Sequence, residues 1–441
     1  MKGKTFWLGM AGVWLVAGML AALFVLGPDS GSSAKPAFTL AESADEAAPN
    51  DAPLEGESSD ESLPEAPKPQ PKSEPAEKIS KTPEDESTEE AASKRTTEVK
   101  ETLPPIRPEV SVGAGETKTE TGSSLHGISV AQGGTLKLQQ GEVSIDGDLI
   151  NQGKLDAAKT TLVLDGGDQS IEGNITAGKV ILRGGTKRIR KGTFGTGSSA
   201  NADPGKAQLY VEKGTTLVIE EGGKWTTPNA YGFQIAGSLV IDGGEFQCRF
   251  TNGNGTDRGE ESWLPGSELT IYKGKFVGNG DADFSGATIT IHDGALEIND
   301  DIWSTGDALN MYGGSMRNTK GGGMFCLTGT VNISDGKLQV YQNSSRSLNV
   351  YKDTSVFCSG GEISINGNPA GGGGGIVLYS SATLNNLKVN TSTQISTNSK
   401  AGTFLSISRD FEIAKGQRFN ANGYQVIAAI PSGDNQGEFV P

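Results

Sequence analysis

Three pairs of carboxylates stand close to tryptophans or glycine turns: Asp281 and Asp283 in GNGDADFSG, Asp300 and Asp301 in EINDDIW, and Glu260 and Glu261 beside Trp263. Two carboxyls about 5–9 Å apart can divide acid and base work across a glycosidic bond. Trp263 and Trp303 add ring faces that could stack on sugars. Trp263, Trp303, Asp281, Asp283, Asp300 and Asp301 are therefore the glycan-contact candidates. Turns are also rich in Asp, Asn and Gly for purely conformational reasons, so no residue is assigned a catalytic role.

The same loops offer hard oxygen ligands, and calcium is the ion they would suit. Neither GNGDADF nor GNGTDRGEE follows the 12-residue calcium loop or the nonapeptide calcium repeat. No cofactor or metal ligand is assigned on that basis. The chain has two histidines, His126 and His292. They leave little for a histidine-based zinc site or triad. Cys248, Cys326 and Cys358 are odd in number and unpatterned. They are expected to be small buried residues, with a Cys326–Cys358 bridge left open.

What must position these side chains is a chain of three compositions. Over 441 residues there are 53 acidic and 38 basic side chains, a formal net charge of −15. Such acidity argues against nucleic acid as a partner. Residues 1–27 comprise Lys2, Lys4 and an uncharged run from Phe6 to Gly27. Twenty-two residues at about 1.5 Å each span the hydrocarbon core of a bilayer. Positive charge before the run and Asp29 after it predict an uncleaved signal-anchor with a cytoplasmic amino terminus. The bulk of the chain is then periplasmic or extracellular, and the membrane is a partner. Pro28 to Val110 holds 13 prolines, 20 acidic and 9 basic residues, and one aromatic, Phe38. A segment so polar cannot offset its ordering entropy, and residues 28–125 are read as a disordered acidic linker.

Residues 126–441 change character. An apolar, any, apolar, two turn residues, Gly phrase recurs, ending at Gly141, Gly167, Gly185, Gly214, Gly244, Gly274, Gly294, Gly314 and Gly336. Successive glycines are 18–30 residues apart, a solenoid period. Alternation within each unit is strand periodicity. Long spacing and scarce aromatics disfavour a sandwich or propeller. About 13 rungs of parallel β-helix are expected. Leu239 with Ile241, Leu269 with Ile271, Ile289 with Ile291, Leu309 with Met311, and Val331 with Ile333 should point inward as ladders. Caps are placed near Leu125 to Val130 and in Phe411 to Ile430.

Asn151 to Gly185, with its phrase Asp165, Gly166, Gln169, Ile171, Gly173, resembles the repeat of bacterial adhesin-like β-helix surface proteins. FEIAKGQRFNANGYQVI similarly resembles terminal coils of autotransporter-passenger-like proteins. The resemblance implies a right-handed, single-stranded parallel β-helix displayed outside the cytoplasm. No membrane barrel or wall-sorting signal follows the repeat, so anchoring falls to the amino-terminal helix. The expected function is a non-catalytic structural or adhesion-like binding module that meets a glycan or surface protein. The alternative is a tethered polysaccharide lyase or glycoside hydrolase. Two carboxylates from neighbouring rungs, facing one groove beside Lys or Arg, would favour the enzyme.

Overall fold

The computed structural model describes residues 107–441 apart from 198–206, 228–231, 251–261, 320–322, 343–347, 368–374, 431–432 and 434–435. Contacts divide the chain into Met1–Thr96 and Thr97–Pro441, and every described residue belongs to the second unit. The expected membrane helix and all of the linker before residue 107 lie outside the described residues. Among those described, no helix is long and apolar enough to cross a membrane.

The described chain is all-β and winds as a parallel β-solenoid of about 13 turns. A turn uses three faces, as in Ala287–Ile291, Ala295–Ile298 and Ile302–Ser304. Where the first corner stays extended, one strand covers two faces, as Ala308–Asn318 does before Phe325–Leu327 on the third. Strands pair in parallel with the turns before and after. This topology follows from alternating sequences too short to bury a sheet face alone, which stack instead on their neighbours.

The expected ladders are present. Leu239, Leu269, Ile289, Leu309 and Val331 are successive register partners, as are Ile241, Ile271, Ile291, Met311 and Ile333. All ten are buried. Cys358 continues the second column after Ile333, which explains its burial. On the second face an aromatic column fills the interior: Phe194, Trp225, Phe246 and Phe276 are register partners. Their neighbouring ring centroids lie 5.2, 6.3 and 5.2 Å apart.

Three expectations are corrected. Among the described residues the solenoid already includes Glu109–Val112, ahead of residue 126, and pairs it with Gly127–Val130. Val110 and Val112 alternate inward there, but the Glu, Thr and Lys around them resemble linker composition. The caps move accordingly. Glu109–Leu125 lies ahead of the first proposed cap, and at the far end Glu438–Val440 pairs with Arg418–Asn420 beyond the second. Phe411, Phe419 and Phe439 cluster there with centroids 5.2–6.1 Å apart.

The recurrent glycine phrase also proves to mark more than one corner. Gly244, Gly274, Gly294, Gly314 and Gly336 stack at the corner between the first and second faces. Gly167 and Gly185 stack instead at the corner leaving the third face, where Gly214 also lies. The next glycine at that corner is Gly237, which packs on Thr215. The uneven sequence spacings therefore mix separate columns.

Candidate functional site

Trp263 is not a sugar contact. It is 1% exposed and fills the solenoid between Phe233 and Phe284, at centroid distances of 5.6 and 5.7 Å. A bridge to Ile235 holds it on the third face with its ring inward. Glu260 and Glu261 lie outside the described residues.

Asp281, Asp300 and Asp301 are brought together: each has a carboxylate oxygen within 4.8 Å of the others. They come from adjacent turns, where the chain passes from the second face to the third. Asp301 is 1% exposed, and its Oδ1 accepts the amides of Gly323 and Met324 at 2.8 and 2.9 Å. Its first task is thus to hold the next turn. Asp300 also lines a groove of about 460 Å³ with Gln247, Arg249, Asn279 and Asn299. Asn299 donates to Asn279 Oδ1 at 2.6 Å and accepts the Gly280 amide at 2.7 Å. These three aspartates are the residues that would hold a hard cation such as calcium.

Asp283 parts from that cluster and faces another groove. Its Oδ1 accepts the Ser285 amide at 2.8 Å, an Asx turn at the corner. It lines a groove of about 390 Å³ with Trp303, Asn349, Tyr351 and Tyr379. The rings of Tyr351 and Tyr379 lie 5.9 Å apart at 63° and are 52% and 39% exposed. Ser304 and Thr328, which line the same groove, bond through their hydroxyls at 2.9 Å, and Asn349 Nδ2 donates to Cys326 Sγ at 3.3 Å. Exposed aromatic rings bordered by amides and a carboxylate suit the apolar face and polar edge of a sugar ring.

Tyr351, Tyr379 and Asn349 escaped the sequence reading. The usable signal was a shared phrase, Leu348-Asn349-Val350-Tyr351 and Ile376-Val377-Leu378-Tyr379. Register pairs Val350 with Leu378, so the tyrosines that follow must be neighbours. Loops of unequal length obscured the repeat.

The remaining candidates take structural roles. All three cysteines are buried, and none of them is in a disulfide. Cys326 sits on the third face and Cys358 on the first, so the open bridge is not made. Burial pushes the Cys358 thiol up to about 12 and Cys248 upward too. His126 Nδ1 lies 2.7 Å from Asp146 Oδ1. His292 is stacked between Tyr272 and Tyr312, at 4.7 and 5.3 Å.

Compared with known proteins, the chain matches no family model, no curated protein and no solved structure.

Proposed function

We propose that this chain is a membrane-tethered, extracytoplasmic display module of bacterial envelope type, whose right-handed solenoid binds glycans without cleaving them. The observation that carries the reading is the third-face groove, in which Tyr351 and Tyr379 stand on adjacent turns and Trp303 lines the same groove two turns earlier, beside Asp283 and Asn349. Turns repeat at about 4.8 Å, so aromatic surface is offered along the axis and suits an extended chain of sugars. The apolar run from Phe6 to Gly27 and the proline-rich acidic segment behind it support the tether. Glycan-array binding by the full-length chain, with the bound glycan recovered intact by mass spectrometry, tests both halves. Binding to no glycan, or recovery of shortened products, would reject it.

A specific observation favours a second reading, a polysaccharide-active enzyme. Asp281 and Asp300 meet from neighbouring turns, and Asp300 shares its groove with Arg249. Asp300→Asn would then abolish product release from an acidic or neutral polysaccharide while leaving folding intact.

A further inference from the structure

Among the described residues that line the third-face groove, Asp283 is the one charged side chain, and no Lys, Arg or His joins it. Asp283 is 8% exposed. Its Oδ1 accepts the Ser285 amide at 2.8 Å. Its Oδ2 has no hydrogen-bond donor or ion-pair partner among the described residues, yet it is not sealed from solvent. The hydroxyl nearest in register does not supply that donor. Ser304 stands opposite Asp283 on the next turn. Thr328 Oγ1 donates to the Gly306 carbonyl at 2.8 Å, so the Ser304–Thr328 bond at 2.9 Å uses the Ser304 proton. A largely buried carboxylate oxygen without a donor costs stability, and a ligand that brings a donor recovers it.

Tyr351 and Tyr379 border the same groove and stay 52% and 39% exposed. Ring faces attract cations, and a carboxylate bonds most strongly to a charged donor, so an ammonium satisfies both at once. A carboxylate or sulfate on the ligand would meet Asp283 with like charge. Asp281 and Asp300 lie at the corner leading into this face and add further negative charge. Lys352, which follows Tyr351, is exposed and lies outside the lining.

We propose that the third-face groove selects an amino sugar with a free ammonium, which donates to Asp283 Oδ2 and lies against the faces of Tyr351 and Tyr379. This selection rests on the glycan reading of the groove and adds the charge of the unit bound. Calorimetry on the full-length chain at about pH 5.5, where a sugar amine is protonated, would compare three β-1,4-linked tetrasaccharides that differ only at C2. They carry an ammonium (glucosamine), an acetamide (N-acetylglucosamine) or a hydroxyl (glucose). The ammonium form should bind roughly tenfold or more tightly than either of the others. In Asp283→Asn, whose Oδ1 can still accept the Ser285 amide, the ammonium form should fall to the level of the hydroxyl form in the same variant. Tyr351→Ala/Tyr379→Ala, altered only at exposed rings, should weaken all three and the ammonium form most, which keeps the test decisive if Asp283→Asn fails to fold. Equal wild-type affinity for the three forms would overturn the selection and leave the glycan reading standing. So would a preference kept in Asp283→Asn, which would reflect general attraction to an acidic chain, or silence with all three beside binding to another array glycan. Binding to no glycan of any kind would remove the glycan reading and the selection together.

Discussion

Lys187 lies one turn above Gln169 in register, and both side chains turn inward to hold backbone carbonyls of the same corner column. Gln169 Nε2 donates to the carbonyls of Ile145 and Gly147. Lys187 Nζ donates to those of Gly166, Gly167 and Gly184. An ammonium thus continues a column begun by an amide, although Lys187 is fully buried.

That replacement has a pH signature. Burial pushes the Lys187 ammonium down to about 8, against the opposing pull of Asp165 and Asp168. Between about 8 and the ordinary lysine value of about 10.4, the unfolded chain binds more protons than the folded one, so stability rises with pH there. Lys187→Met should be destabilised by about 1–3 kcal/mol at neutral pH, because the carbonyls lose their donor. It should also lack the alkaline rise, so the gap to wild type widens between pH 8 and 10. Thermal melts across that range measure both effects.

A second network staples the first turns. Arg107 donates to both Asp165 oxygens at 2.8 and 3.1 Å and to Ser144 Oγ at 3.0 Å, and Ser144 donates to Asp165 at 2.6 Å. Arg107 Nε also lies 3.3 Å from Asp146, the partner of His126. Burial alone would raise the Asp165 carboxyl, but the hydrogen bonds of Arg107 and Ser144 and the Arg107 charge hold it below the usual range. A depressed carboxylate stabilises above its unfolded value and loses that contribution as pH falls through the folded one. Wild type should lose stability below about pH 4, and Asp165→Asn should lose less. Arg107→Ala should cost about 1 kcal/mol and speed amide exchange in Glu109–Val112.

Trp263 offers a test of core against surface. Trp263→Ala should destabilise the chain by about 3–5 kcal/mol, since a large ring leaves a cavity among Phe233, Phe276 and Phe284. A wild-type melting temperature in this variant would return Trp263 to the surface.

Glycines at the corners should differ in a defined order. Gly336 has φ +95, and a Cβ there would overlap the Gly313 backbone, whereas Gly214 has φ +79 and open space around it. Gly214→Ala should cost about 1 kcal/mol, from positive φ alone. Gly336→Ala should cost at least about 2 kcal/mol, because overlap adds to the strain. Denaturant midpoints of the two variants provide the comparison.

These particulars show what was legible beforehand. Leu239 with Ile241 and their successors were readable as inward ladders because a two-residue period is local and needs no knowledge of turn length. The strand at Glu109–Val112 was hidden because Val110 and Val112 sit among linker-like residues. Trp263 misled because a tryptophan beside glutamates looks the same in sequence whether its ring points in or out. Of the carboxylates, Asp281, Asp300 and Asp301 converge while Asp283 joins Trp303. That sorting depends on which corner each loop forms, and the glycine phrase mixed the corners together.

The central claim is that glycans are held on the third-face aromatic groove. The most direct measurement is the affinity of the full-length chain for its best array glycan, compared with that of Tyr351→Ala/Tyr379→Ala. Loss of two half-exposed rings should weaken binding at least tenfold while melting temperature stays near wild type. Equal affinity in the two proteins would contradict the account.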